Sequence, residues 1–140
     1  MKLQIALVCD DAHVDAEGKL DVHGVFHDLY APGFPAKQDH MVLVIAVEWD
    51  RSDEGRYEFR VDLLDPEGTP TMSVQGHTDV DRRTPDRPPA RTRLVLPMDD
   101  VVFLRPGEYR FAVRFKGRDL EGPTLYVMEA ALPSAEAAEA

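Results

Sequence analysis

Two segments of this chain, "RYEFRVDL" (Arg56 to Leu63) and "EYRFAVRF" (Glu108 to Phe115), place a large apolar residue at nearly every second position. That period of two marks a strand with one buried face and one wet face, because successive side chains leave a strand on opposite sides. It excludes an amphipathic helix, whose apolar stripe recurs every three or four residues. Tyr57, Phe59, Val61 and Leu63 should face inward in the first segment, and Tyr109, Phe111, Val113 and Phe115 in the second.

The rest of the chain reads the same way. Short runs rich in Val, Phe, Tyr and Leu are separated by Gly, Pro and Asp clusters, the punctuation of an all-β sandwich. Candidate strands are Leu3 to Val14, Lys19 to Tyr30, Met41 to Trp49, Arg56 to Leu64, Thr71 to Val80, Arg91 to Leu96, Glu108 to Lys116 and Asp119 to Met128. "MVLVIAVEW" is apolar at almost every position, as a central strand covered on both faces must be. "LRPGEY", Leu104 to Tyr109, fits the tyrosine corner of immunoglobulin-like domains, where a tyrosine near a strand start bonds back to upstream backbone.

The expectation is therefore a single antiparallel β-sandwich, immunoglobulin-like, of about seven to eight strands. It should occupy residues 1–130. "MDDVVFL", Met98 to Leu104, is expected to cross between the sheets, with room for one helical turn. The acidic tail 131–140 has little to bury and is expected to be disordered. "GRYEFRV" and "GEYRFAV" echo each other, and two occurrences read as equivalent strand starts rather than a repeat architecture.

A chain of 140 residues is one domain's worth, able to bury a core without disulfides. Cys9, the only cysteine, lies in an apolar run and reads as a small buried hydrophobe in a reducing, cytoplasmic setting. "MKLQIALVCDDA" ends its apolar run in two aspartates without a small-residue cleavage pattern, so it reads as a first strand rather than a leader. No run approaches the roughly 18 to 20 apolar residues of a membrane span, and no membrane partner is expected.

The formal charge of -10 opposes nonspecific binding to nucleic acid. One segment runs against it: "DRRTPDRPPARTR" sets Arg82, Arg83, Arg87, Arg91 and Arg93 against Asp81 and Asp86. Its prolines and lack of interleaved aromatics suit an extended, solvated loop, able to dock an acidic partner, more than a base-stacking surface.

The densest group of reactive side chains surrounds "DAEGK". A three-residue loop, Ala16 to Gly18, closed by glycine in the left-handed conformation, fixes the register. Asp15 then pairs with Lys19, Val14 with Leu20, His13 with Asp21, Ala12 with Val22, Asp11 with His23, and Cys9 with Val25. One face carries Val8, Ala12, Val14, Leu20, Val22, Gly24 and Phe26, expected in the core, with Asp10 out of place. The other carries Cys9, Asp11, His13, Asp15, Lys19, Asp21, His23, Val25 and His27; a one-residue slip would mix the two.

On that second face Asp11, His13, Asp21 and His23 form a square with cross-strand Cβ separations of roughly 4.5 to 5.5 Å. Carboxylates and imidazoles are donors that zinc accepts at roughly 2 Å. The plainer reading is two exposed Asp–His contacts worth at most ~1 kcal/mol each. His27 does not join His23, since four residues of strand span roughly 13 Å. Cys9 has an acid, Asp10, where a nucleophilic thiol needs a cation.

Smaller motifs complete the reading. "DPEGTP" is given a four-residue loop, Pro66 to Thr69, which sets Leu63 opposite Met72 and Val61 opposite Val74. "FKGRDL" is a two-residue hairpin at Lys116 and Gly117, with Arg114 opposite Asp119 and Val113 opposite Leu120. Trp49 closes an apolar strand and reads as core or rim, with a sugar-stacking platform as the alternative. The sequence holds no phosphate-binding glycine loop, G-x-S-x-G elbow or calcium loop.

"ALVCDDA", "GKLDVHGVFHDLYAPGFPA" and "PGEYRFAVRFKGR" resemble an uncharacterised family of small bacterial proteins, a domain of unknown function, over about Leu3 to Val127. The resemblance implies a stand-alone cytosolic β-sandwich and carries over no activity, cofactor or catalytic residue. Cys9-Asp10 and Gly24-Val25-Phe26 match its pattern, whereas His23 and His27 stand where the family is not associated with a fixed histidine.

Lacking a catalytic constellation, the chain is expected to be a non-enzymatic interaction or accessory module without a cofactor. It would bind another macromolecule, or itself, through a sheet edge, a sheet face or the Arg-rich loop 81–93. The alternatives are a metal binder or metal-dependent enzyme using Asp11, His13, Asp21 and His23, and a polyanion or nucleic-acid binder using Arg82, Arg83, Arg87, Arg91 and Arg93.

Overall fold

The computed structural model describes residues 1–130; the tail expected to be disordered, 131–140, lies outside them. The described residues form nine strands: β1 (Lys2–Val14), β2 (Leu20–Phe26), β3 (Asp28–Ala31), β4 (Ala36–Glu48), β5 (Gly55–Leu64), β6 (Pro70–Val80), β7 (Arg91–Phe103), β8 (Gly107–Phe115) and β9 (Arg118–Glu129). Sheet A has the order β2-β1-β4-β7, and sheet B the order β3-β9-β8-β5-β6. In immunoglobulin terms, β4 and β7 take the B and E positions of one sheet, and β5, β8 and β9 take C, F and G of the other.

The sandwich read from the alternation is the fold, with differences at three places; the strand read as Met41 to Trp49 starts earlier, at Ala36. Lys19 to Tyr30, read as one strand, is two: β2 stays on sheet A, and β3 crosses to sheet B to pair parallel with β9. Met98 to Leu104, expected as the crossing, instead runs on as strand through Phe103, paired with β4 from Glu48↔Arg91 to Ala36↔Phe103. Asp100 sits at φ 54, which shifts the buried positions from Met98 to Val101 and Phe103. That shift hides the strand from a period-two pattern; the crossing is Leu104 to Pro106.

The core lies between the sheets. Met41, Leu43, Ile45 and Val47 of β4 meet Val61 and Leu63 of β5, Phe111, Val113 and Phe115 of β8, and Leu125 and Val127 of β9. Each such side chain contributes roughly 1.5–3 kcal/mol on burial. Trp49 is 2% exposed, stacks on Tyr57 and donates its indole N–H to Thr92 Oγ1 at 2.9 Å. It is a core residue rather than a sugar platform.

The tyrosine corner is present: the Tyr109 hydroxyl donates to the Arg105 carbonyl at 2.8 Å. Its counterpart in the echoed motif, Tyr57, donates to the Glu54 carbonyl at 3.1 Å. The repeated Gly-x-Tyr thus ties two strand starts to the loops before them.

The two D-x-E-G segments are also one device. Asp15 Oδ1 accepts the N–H groups of Glu17 and Lys19 at 2.8 and 2.9 Å, and Asp65 Oδ1 accepts those of Glu67 and Thr69, both at 2.9 Å. Gly18 and Gly68 supply φ values of 81° and 84°. The four-residue loop read for Pro66 to Thr69 is therefore corrected to three, with the Asp65 N–H bonded to the Thr69 carbonyl. Leu63↔Met72 and Val61↔Val74 hold even so, because a register shift between Leu63 and Leu64 absorbs the extra residue. Lys116 and Gly117, both at positive φ, form the two-residue turn of the last hairpin, with Arg114↔Asp119 and Val113↔Leu120 as read.

Candidate functional site

The register of the first hairpin is as derived from its turn, yet its faces are not. β1 leaves β4 after Cys9↔Val42, and the hairpin beyond folds back over the outer face of sheet A. Ala12, Leu20 and Val22 pack there with Cys9, Val42, Val44 and Val95 as a second apolar cluster. At the tip, the Gly18 carbonyl accepts a bond from Arg93 of β7. Gly24 permits the bend: its φ is +68°, and a Cβ there would stand 2.2 Å from Asp10 Oδ2.

The face expected in the core is consequently split. Val8 and Phe26 join the intersheet core, Ala12, Leu20 and Val22 join the second cluster, and Val14 is 48% exposed. Cys9, assigned by alternation to the wet face, is fully buried. Cys9 and Ala12 stand three apart and still face the same cluster, so the bend breaks the alternation. The thiol is bonded to the carbonyls of Asp11 and Val42. Burial pushes its pKa up, and the Asp11 and Asp10 carboxylates add to the rise, which leaves an inert, structural thiol.

Of the four-residue square, the structure brings together two pairs. His13 Nε2 lies 3.2 Å from Asp21 Oδ2, both well exposed, and the His13 and His23 rings stack with centroids 5.8 Å apart. Asp11 is opposite His23 in register. Among the described residues, no three His, Cys, Asp or Glu side chains converge as ligands of one ion would.

The five arginines read as one basic segment divide between two structures. Arg91 and Arg93 belong to β7, where Arg91 pairs with Glu48 at 3.2 Å and Arg93 holds the hairpin tip. Arg82, Arg83 and Arg87 lie in the loop before β7, exposed and, among the described residues, without an ion pair. That loop is pinned to Arg51, whose carbonyl accepts the Arg83 N–H and whose Nε donates to the Arg87 carbonyl, both at 2.9 Å. The Thr84 hydroxyl bonds the Asp86 carboxylate and lowers its pKa.

The outer face of sheet B was not singled out by the sequence, and it is the broad open surface. At its β3–β9 end, Tyr30 and Tyr126 are 64% and 45% exposed, with Met128 beside them. At its other end is an open trough of about 980 Å³ lined by Arg56, Glu58, Arg60, His77, Arg114 and Lys116, among others. Arg60 and Arg114 stand directly opposite each other on neighbouring strands, an arrangement that disfavours the fold by itself. Arg60 donates through Nε to Asp62. Bonds from the Ser73 hydroxyl and from Arg60 hold the Asp62 carboxyl below the usual range, against the effect of burial. The signal was the wet positions of the two alternating segments; what the sequence hid was that β5 and β8 are neighbours.

Two antiparallel-dominated sheets, a tyrosine corner and B-E and C-F-G strand placement make this an immunoglobulin-like β-sandwich domain. Within that class the chain belongs to a family of unknown function, DUF6941, which matches residues 4–128. Comparison with curated proteins finds no match. Among the described residues, no helix is long and apolar enough to cross a membrane.

Proposed function

We propose that the chain is a non-enzymatic, cytoplasmic interaction module that binds another macromolecule through sheet B. One observation carries this reading. The outer face of sheet A is roofed by the chain's own hairpin, whereas the outer face of sheet B exposes Tyr30, Tyr126 and a run of arginines. Tyrosine and arginine are the residues that protein interfaces favour and that hold most of their energy. The lone, buried Cys9 suits a reducing compartment.

Affinity purification from the native cell tests it, using the natural chain beside two variants. Tyr30→Asp with Tyr126→Asp alters sheet B, and His13→Ala with His23→Ala alters the hairpin. A stoichiometric partner should leave with the first variant and stay with the second. The opposite pattern, or no partner, overturns the proposal.

A further inference from the structure

Sheet B has an edge that is unlike the other three. On sheet A, β7 carries Arg91, Arg93, Pro97, Asp99 and the irregular Asp100, and β2 is bent at Gly24, whose φ is positive. On sheet B, β3 is four residues long. Charge, proline, irregularity and shortness are the devices that keep sheet edges from pairing with other chains. β6 has eleven residues, a proline only at its start, and no Lys, Arg, Asp or Glu between Pro70 and Asp79. Its register with β5 runs unbroken from Leu63↔Met72 to Gly55↔Val80. Its inward Met72 and Val74 are only half-buried, Thr78 is bonded to Thr92 of β7, and no strand of the described chain pairs with its outer edge.

The arginine trough lies beside this edge, with Gln75 and His77 of β6 in its lining. Arg56, Arg60, Arg114 and Lys116 line it with Glu58; Lys116 is held by Asp53 at 2.7 Å and Arg114 lies 3.5 Å from Asp119. Arg56 and Arg60 bond their flanking Asp79 and Asp62 through Nε, which leaves the terminal nitrogens outside those bonds. A strand added to β6 would lie roughly 5 Å from it and roughly 10 Å from β5. From there, every second side chain of the added strand is within reach of the long arginines of β5.

Resting on the reading of sheet B as the binding surface, we infer that β6 accepts an extended acidic segment of a partner protein by strand addition. The backbone edge supplies hydrogen bonds, and Arg56 and Arg60 select carboxylates on alternate residues of the segment. Dense polyanions are opposed by the net charge of -10. A second copy is opposed as well, since pairing β6 with its own image would bring two like net charges together.

The test uses the purified full chain and a short labelled peptide alternating glutamate with valine or threonine. Fluorescence anisotropy reads binding, and amide hydrogen exchange reads the contact. The peptide should bind, slow exchange specifically in Pro70–Val80, and weaken roughly tenfold or more in an Arg56→Gln, Arg60→Gln variant that keeps its cooperative unfolding transition. Replacing its glutamates by glutamine should weaken it similarly.

Binding without β6 protection, or indifference to either charge removal, overturns the inference. So does a peptide-free dimer protected at β6, or duplex DNA competing for the trough. If the peptide fails while a native partner still leaves with Tyr30→Asp and Tyr126→Asp, the inference falls and the interaction-module reading stands.

Discussion

Arg93 on β7 and Gly18 at the hairpin tip are joined by a 2.8 Å bond from the guanidinium Nη2 to the glycine carbonyl. The two residues are 75 apart in sequence, and β4 lies between their strands. The bond therefore marks the far side of a roof laid over β4, and explains why Val42 and Val44 are buried on the face away from the main core.

The bend that makes this roof depends on Gly24. Gly24→Ala combines a positive φ with a Cβ 2.2 Å from Asp10 Oδ2 and should destabilise the fold by ~1–3 kcal/mol in urea titrations. Adding Asp10→Ala should recover part of that loss, since it relieves the contact and leaves the backbone strain. No recovery would mean that the Asp10 contact is not the obstacle.

Cys9 reports the roof directly. Fully buried and raised in pKa, it should react slowly with a thiol-labelling disulfide in the folded chain. Leu20→Ala with Val22→Ala thins the roof and should speed labelling roughly tenfold or more, through easier local opening. Equal rates in both chains would place the opening elsewhere.

The tyrosine corner should contribute measurably to stability. Tyr109 is 2% exposed and its hydroxyl has one backbone acceptor, so Tyr109→Phe should cost about 1–2 kcal/mol. Tyr57→Phe should cost less, because Tyr57 is only half-buried. Thermal unfolding of the two variants side by side checks the order.

Asp53 gives a pH dependence. It is buried and accepts Lys116 Nζ at 2.7 Å and the Asp50 N–H at 3.0 Å. Burial pushes its carboxyl up, but the Lys116 bond and charge and the Asp50 amide outweigh it, so the pKa lies below its ordinary 3.8. A depressed folded pKa means that the stabilisation is present above the unfolded value and lost as pH falls through the folded one. Asp53→Asn should lower stability at neutral pH and flatten its decline below about pH 4. Parallel acid limbs in the two chains would contradict this.

His13 and Asp21 form an exposed pair without a converging third donor among the described residues. His13→Ala with His23→Ala should shift stability by less than ~1 kcal/mol and leave the zinc content of the purified chain unchanged. Stoichiometric zinc lost in that double variant would restore the metal reading.

The inward faces of β5 and β8, the tyrosine corner and the hairpin register were all legible in the sequence, because each rests on local spacing or one turn. What covers the second face of β4 was not, since a bend at Gly24 depends on its fit against Asp10. Nor was the trough: Arg60 and Arg114 sit 54 positions apart (114 minus 60) and meet only through strand order. β3 escaped notice because Asp28 to Ala31 is too short to show a period.

The bare β6 edge also gives the chain's acidity a colloidal role. Where other strands carry their own deterrents to stacking, β6 borrows its deterrent from the whole molecule: a charge of -10 holds copies apart before their edges can meet. Such a guard is diffuse and acts over about 8 Å at physiological ionic strength. Concentrated salt or mild acid removes it without altering one residue of the strand, so shelf life and storage buffer are tied to the same edge that is proposed to recognise a partner.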